Sequence, residues 1–269
     1  MTWTVIARQD GRLTFSARSV RILLGVFALG VLLLAYLYPV QAADPVTIAR
    51  FTGYVSGWLT TVIPVVGLLL GHNAVVSEQE SGALLLSLAL PHSREEVILG
   101  KFVGRAGPLT ATIVGTMAAA AALVVYPFGE LVVPEFVAFV LLTVFFGALW
   151  VALGMAISLG VATRRRALVL GFGLLFVLVF LWDTIESALQ LGLTTAGVTD
   201  GELPAAARFV FGLSPDRAFT RMTDGFLDPA VTVPGPWYLE EWAGLVVLIG
   251  WVVGPLGLAY LRFTRRDVV

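Results

Sequence analysis

The sequence predicts an all-α integral membrane protein with six transmembrane helices, and composition, hydropathy and the length of the uncharged stretches all indicate this class. Of the 269 residues, 58% are hydrophobic and only 13% are charged, and the mean hydropathy is +0.91. An ordinary globular domain is about 45–50% apolar and about 25% charged. A soluble enzyme, a disordered chain and a solvated repeat array are therefore excluded, because so apolar a surface requires lipid as its solvent.

Six stretches of the chain contain no Asp, Glu, Lys or Arg and are candidate membrane spans. A bilayer core of about 30 Å requires about 20 apolar residues in helical form. The stretches are continuously apolar and do not alternate with a period of two, which favours helices over a barrel. They cover residues 22–43, 51–77, 106–129, 136–163, 167–182 and 242–261. We predict one membrane-spanning domain over residues 1–269, with spans at about 21–41, 54–76, 105–126, 134–161, 167–190 and 239–261.

The fifth stretch is the shortest, with 16 residues before Asp183. At about 1.5 Å per residue such a helix is too short to cross the bilayer core. We therefore expect the helix to continue past Asp183 and Glu186 to about Leu191. The two acids are three residues apart and share one face of that helix. They either reach water at the outer interface, which the short apolar run favours, or lie inside the membrane as functional acids.

The distribution of basic residues predicts the orientation. With the N-terminus inside, 13 of the 17 Lys and Arg residues lie on the inner side and 4 on the outer side. Both termini are therefore expected in the cytoplasm. Residues 1–42 also resemble a signal peptide with a cleavage site at its end, but the apolar run is longer than signal peptides require, which favours an uncleaved first span. Residues 4–19 form either an amphipathic helix on the inner leaflet or an unstructured basic tail.

The inner connection between the second and third spans, residues 77–104, carries two capping boxes. Ser77 with Glu80 predicts the start of a helix through residues 83–90, which Pro91 ends. Ser93 with Glu96 predicts the start of a second helix that continues into the third span. The connection is thus expected to be helix, proline break and helix.

Residues 77–102, SEQESGALLLSLALPHSREEVILGKF, resemble the signature of type-2 ABC exporter permeases. In that family an acidic stretch precedes a small residue, an apolar helix, a proline, a Ser-Arg pair and a lysine at the next span. The matching positions here are Glu78, Glu80, Gly82, Pro91, Ser93, Arg94, Gly100 and Lys101. The six spans and the inside N-terminus fit the same family. Residues 213–219 further resemble a segment of permeases linked to the maturation of copper enzymes.

The resemblance implies that the first helix of this connection is a coupling helix, which docks into a cleft on a separate ATPase subunit. Its leucines would be buried in the cleft and its acids would face basic groups of the partner. The residues implied in ATPase coupling are Glu78, Glu80, Gly82, Leu84, Leu85, Leu88, Pro91, Ser93, Arg94 and Lys101. The alternative is an interfacial helix that lies among lipid headgroups.

The resemblance also implies partners and a location. The chain contains no G-x-x-x-x-G-K-[ST] loop, since Glu95 stands where the first glycine belongs and Phe102 follows Lys101. ATP and Mg are therefore expected on the partner ATPase. Six spans correspond to half of a twelve-span exporter, so a second copy or a paralogue is expected beside this chain in the cell membrane. Small residues such as Gly147 and Gly154 would permit close helix contacts.

The outer connection, residues 187–238, is expected to form short extracellular helices before the last span. Ser214-Pro215-Asp216 predicts a helix start, with serine as the cap and proline at the first helical position. In the resembling family such helices partly re-enter the membrane and cap the pathway. The alternative is an outer loop packed on the bundle.

These observations favour a non-enzymatic membrane permease of an ATP-driven exporter. The net charge of −1 gives no attraction to nucleic acid, and without cysteine there is no thiol chemistry. His72 and His92 are the only histidines, so we expect no metal site. We also expect no catalytic residue in this chain and no cofactor bound by it. The alternative function is a secondary transporter, which should show acids in mid-span, or a non-catalytic membrane scaffold.

Overall fold

A computed structural model describes residues 3–41, 48–82, 93–128, 131–227 and 236–265, and these residues contain helices and turns but no β-strand. The predicted all-α class is therefore confirmed for this part of the chain. The α-helices are α1 Trp3–Ser16, α2 Arg18–Gln41, α3 Ile48–Gly71, α4 Val76–Ser81, α5 Arg94–Phe128, α6 Val133–Gly160, α7 Arg164–Leu175, α8 Trp182–Thr195, α9 Ala205–Phe211, α10 Pro215–Leu227 and α11 Glu241–Arg265.

Six helical stretches are long and apolar enough to cross a membrane, which confirms the predicted number of spans. They are α2, Arg50–Ser81, Arg94–Tyr126 of α5, α6, Arg164–Thr195 and Glu241–Arg262 of α11. The fifth stretch joins α7 to α8 through the π-helical segment Phe176–Leu181. It runs past both predicted acids, so the expected extension of the short fifth span is confirmed. The third span begins as far back as Arg94 because no residue after the Ser93 cap breaks the helix.

Helix α6 is the centre of the bundle. It packs against α3, α5, α7, α10 and α11. From Phe146 to Leu159 almost all of its side chains are buried, including the indole of Trp150. This burial on every side explains why α6 is apolar around its whole circumference, as expected of a helix enclosed by others.

Glycines bring the backbones of α3 and α6 into direct contact. A Cβ atom added at Gly154 would lie 2.8 Å from the carbonyl oxygen of Leu68 and 2.9 Å from the amide nitrogen of His72. On the opposite helix, Cβ atoms at Gly67 and Gly71 would collide with α6 in the same way. Gly67 and Gly71 form a GxxxG motif, which sequence reasoning passed over when it considered other glycines.

The outer helices of the bundle leave much of their apolar surface exposed. Only about a fifth of the apolar window of α2 is buried, and the fractions for Arg164–Thr195 and α11 are lower still, at 17%. The exposed side chains include Leu29 on α2 and Val253 on α11. Such surfaces match the predicted lipid environment of a membrane protein.

The close crossing can be tested by adding one methyl group. We expect Gly154→Ala to lower the free energy of unfolding by about 1–3 kcal/mol, because backbone atoms cannot move aside cheaply. A matched control is Gly107→Ala on α5, where a new Cβ meets nothing within 4 Å. The control should be neutral or stabilising by up to about 1 kcal/mol, the usual gain of alanine over glycine in a helix. Thermal unfolding of both purified variants in detergent measures the difference, and equal behaviour would contradict the crossing.

Candidate functional site

The inner connection begins at a buried hydroxyl on the central helix. After α3 ends, the backbone amides of Val75 and Val76 donate hydrogen bonds of 3.0 and 2.9 Å to Ser158 Oγ. Ser158 is fully buried near the end of α6. Amides at a helix start have no partner within their own helix. The serine supplies one, and thereby fixes the start of α4 to α6.

Two acids and two bases form a compact cluster beside this point. The Lys101 ammonium lies 2.5 Å from Glu78 Oε1 and 3.8 Å from Asp10 Oδ1, and Arg105 Nε lies 2.8 Å from Asp10 Oδ2. Lys101 is only 4% exposed and Asp10 only 7%. The two positive charges balance the two negative ones, so no buried charge is left uncompensated. We call these four residues the inner charge cluster; it joins α1, α4 and α5.

Glycines allow α1 to reach this cluster. A Cβ atom at Gly100 would lie 2.7 Å from Ile6 Cβ, and one at Gly104 would lie 2.9 Å from the Ala7 carbonyl oxygen. The N-terminal segment is therefore a helix packed on α5, which decides against an unstructured basic tail. Sequence reasoning missed Asp10. Two signals were available, since Asp10 is the only acid before Asp44 and Gly100 with Gly104 forms a second GxxxG motif.

The second acid of α4 contacts the start of the fifth span. Glu80 Oε2 lies 3.2 Å from Arg164 Nε, and Glu80 Oε1 accepts a hydrogen bond of 2.8 Å from the Arg164 amide. Glu78 and Glu80 were expected to face basic groups of a partner. Within the chain, Glu78 pairs with Lys101 and Glu80 with Arg164, and the predicted contact with a partner stays a prediction. The acids position α4 on α5 and α7.

The two predicted capping boxes have different outcomes. The first is wrong: Val75 precedes α4, and Ser77 Oγ donates to the Asn73 carbonyl oxygen at 2.8 Å instead of capping a helix. The helix ends at Ser81, followed by Gly82 in the left-handed conformation with φ 74°. A continuous helix from residue 77 to residue 90 is therefore excluded, since glycine in this conformation commonly ends helices.

The second capping box is confirmed. The Glu96 amide donates to Ser93 Oγ at 3.2 Å, and the Ser93 amide donates to Glu96 Oε2 at 3.3 Å. Between these two residues, Glu95 Oε1 accepts a hydrogen bond of 2.9 Å from the Tyr260 hydroxyl, which links α5 to α11. The predicted site residues Leu84, Leu85, Leu88 and Pro91 lie outside the described residues. Arg94 is the first residue of α5.

The predicted outer-face acids meet at one arginine. Asp183 Oδ1 lies 2.6 Å from Arg217 Nη2, and Glu186 Oε2 contacts the same nitrogen. The shared face of the two acids is thus confirmed. Burial acts to lower the pKa of Arg217, but the two carboxylates outweigh it and raise that pKa. The Asp183 side chain is 69% exposed and that of Glu186 is 18% exposed, so neither is an isolated buried acid.

Three consecutive carbonyl groups, from the last residue of α9 onward, each accept a hydrogen bond from a side chain of a different helix. Trp182 Nε1 donates to the Phe211 carbonyl oxygen at 3.1 Å. Arg221 Nη2 donates to that of Gly212 at 2.7 Å, and Trp251 Nε1 to that of Leu213 at 2.7 Å. These contacts fasten the turn to both the fifth and the sixth spans. No local pattern in the sequence predicted them, although α10 begins at Pro215 as expected.

We expect the free energy of unfolding to fall when one charge of the inner charge cluster is removed and to rise again when a second change restores neutrality. Lys101→Met should cost about 3 kcal/mol of stability, the lower end for a broken buried pair, because it leaves the partly buried Glu78 without its partner. Adding Glu78→Gln restores neutrality and should recover most of the loss. Arg262→Met removes an exposed charge from α11 and serves as the control. Thermal unfolding in detergent reports all three, and a double variant as unstable as the single one would contradict the account.

A smaller effect is expected at the outer arginine. Arg217→Gln should lower stability by about 1 kcal/mol, since the pair is partly solvated and exposed pairs contribute little. Hydrogen exchange should increase in α8 and α10. Arg208→Gln is the control, because its partner Glu202 is 85% exposed. Equal exchange in the two variants would show that Arg217 does not hold these helices together.

Comparison with known proteins places the chain in a family. A profile of the family described as ABC-2 family transporter protein matches residues 11–268. The chain is 29% identical over 240 residues to the probable ABC transporter permease protein NosY of Pseudomonas aeruginosa, covering 83% of this chain and 82% of the relative. It is 28% identical over 282 aligned positions to the protein of the same name from Stutzerimonas stutzeri, covering 98% of each. The chain therefore belongs to the ABC-2 transporter family and is a membrane permease subunit of an ABC transporter.

Proposed function

We propose that this permease works in an ATP-driven exporter and that residues 76–101 receive mechanical force from a separate ATPase subunit. One observation carries the proposal: the segment that leaves α3 is fastened to three other spans at once. Ser158 holds it to α6, Lys101 holds it to α5, and Arg164 holds it to the fifth span. Force applied to this segment would therefore act on the whole inner end of the bundle.

The contacts made where the inner connection enters α5 support the same role in receiving force. Helix α5 begins at the Ser93 cap, directly after the apolar residues 83–92 of the connection. Glu95, two residues after Ser93, accepts a hydrogen bond from Tyr260 on α11. Residues before and after the apolar stretch 83–92 thus contact α5, α6, α7 and α11. A connection that only closed a loop would need none of these contacts, whereas a coupling element would use them to move several spans together.

The distribution of charge supports a cytoplasmic location for this end. The inner charge cluster, Arg164 and the basic turn around it share the end of the bundle that carries most of the Lys and Arg residues. Basic residues accumulate on the cytoplasmic side of membrane proteins. In this orientation both termini face the cytoplasm, α9 and α10 are extracellular, and the protein resides in the cell membrane. A second copy or a paralogue completes the transporter, and the resemblance of residues 213–219 supports a link to copper-enzyme maturation.

The leucines of the apolar stretch should decide whether the ATPase binds. We expect a tagged wild-type chain to co-purify with a nucleotide-hydrolysing subunit, and we expect Leu84→Asp with Leu88→Asp to lower the recovered subunit at least tenfold. Each leucine buried in a cleft contributes about 1.5–3 kcal/mol. Glu202→Gln, an exposed change at the other end of the bundle, is the control. A chain that purifies alone, or a silent leucine variant, would overturn the proposal.

Glu80 should separate transmission from binding in the same assay. Because Glu80 is already paired with Arg164 within the chain, we expect Glu80→Gln to retain most of the ATPase subunit. It should nevertheless lower the stimulation of ATP hydrolysis by the permease several-fold. Loss of the ATPase subunit from Glu80→Gln would instead show that the acid contacts the partner directly.

A further inference from the structure

A groove lies at the inner end of the fifth span, next to the Arg164–Glu80 contact. Its volume is about 460 Å³, within the usual range of about 300–1,000 Å³ for small-molecule sites. It is lined by Thr163, Arg165, Arg166, Val169 and Leu170. The surface of the groove is mostly apolar, and two of its five lining residues are arginines.

The two arginines of the groove are available for a ligand. Their neighbour Arg164 is used by Glu80, whereas the guanidinium groups of Arg165 and Arg166 form no ion pair with any residue that the structure describes. Both side chains are exposed. Each lies four residues before an exposed apolar side chain, so each arginine shares a helix face with Val169 or Leu170. Two positive charges thus share helix faces with exposed apolar side chains at the border of a mostly apolar groove.

The apolar surface continues along the helix beyond the groove. Val169 is 60% exposed, and Phe172, Phe176 and Phe180 follow it at spacings of three or four residues with their side chains also exposed. The rings of Phe176 and Phe180 lie on one side of the helix, with centroids 6.1 Å apart. From Arg166 to Phe180 the stripe is about 21 Å long at ~1.5 Å per residue.

We propose that this groove binds an anionic phospholipid. Arg165 and Arg166 hold the phosphate of the headgroup, and the acyl chains lie along the stripe from Val169 to Phe180. Guanidinium groups pair well with phosphate, in a geometry that lysine does not reproduce. A free phosphate ion has no apolar part to cover the stripe, and a zwitterionic headgroup brings no net negative charge to the two arginines. An anionic phospholipid supplies both parts at once.

The proposal can be tested on the chain alone, without its ATPase. The purified full chain is titrated with phosphatidylglycerol or phosphatidylcholine in neutral detergent, and native mass spectrometry counts the lipids that remain bound. We expect the wild type to retain phosphatidylglycerol in preference to phosphatidylcholine. The double variant Arg165→Gln, Arg166→Gln should bind phosphatidylglycerol about thirtyfold more weakly, as expected for two arginines that face anionic headgroups. All of the changed side chains are exposed, so folding should be unaffected.

A matched control removes the same charge elsewhere. Arg8→Gln with Arg12→Gln changes two exposed arginines of α1 and should leave phosphatidylglycerol binding unchanged. Val169→Gln should weaken binding of long-chain phosphatidylglycerol, because it places a polar group under the acyl chains. Equal losses in the two arginine pairs would show only general attraction to a basic surface and would overturn the proposal.

Two further outcomes would also overturn it. If inorganic phosphate displaces the lipid at equal concentration, the groove is a site for small anions and the stripe plays no part. If the groove variants convert a dimer into a monomer while bound phosphatidylglycerol is unchanged, the stripe is an interface between two copies of the chain. Retained selectivity for phosphatidylglycerol in excess phosphate supports the lipid site.

Discussion

The contact on which the rest of this structure depends is the close crossing of α3 and α6. Gly67 and Gly71 on one helix and Gly154 on the other let the two backbones touch. Ser158 lies one helical turn beyond Gly154, so the end of α3 emerges directly against its hydroxyl. There Ser158 Oγ accepts hydrogen bonds from two consecutive amides, those of Val75 and Val76. The position of the inner connection therefore follows from the absence of side chains at the crossing.

The inner charge cluster is better understood as a positional device than as a source of stability. Moving two acids and two bases out of water costs free energy that their attraction only partly returns. The four charges instead fix the position of α1 along α5. Apolar surfaces and glycine grooves would allow α1 to shift by a turn along α5, but a shift would separate Asp10 from Arg105 and Lys101 from Glu78. The balanced charges thus select one placement of α1 and α4.

Features set by local sequence were predictable, and features set by distant partners were not. The number of spans follows from uncharged stretches, and the Ser93 cap follows from two residues three apart. The Ser77–Glu80 box fits the same local pattern but does not form, because Glu80 pairs with Arg164 and because the helix already begins at Val76, where Ser158 binds the amides of Val75 and Val76. Arg164 and Ser158 lie more than 80 positions away in the chain, so a capping rule based on neighbouring residues cannot predict their contacts.

Among the described residues of the coupling region, α5 is the longest continuous helix. Helix α4 has only six residues, too few to be stable alone, and it is held by contacts with other spans. Helix α5 has 35 residues and is about 52 Å long at ~1.5 Å per residue, so it runs unbroken from the Ser93 cap through the apolar core. In the proposed function, force received beside α4 passes through Glu78 and Lys101 into this rod. Because α5 carries its own cap, an acid bonded to α11 and the docking site of α1, movement of its inner end would be transmitted to α1 and α11 as well.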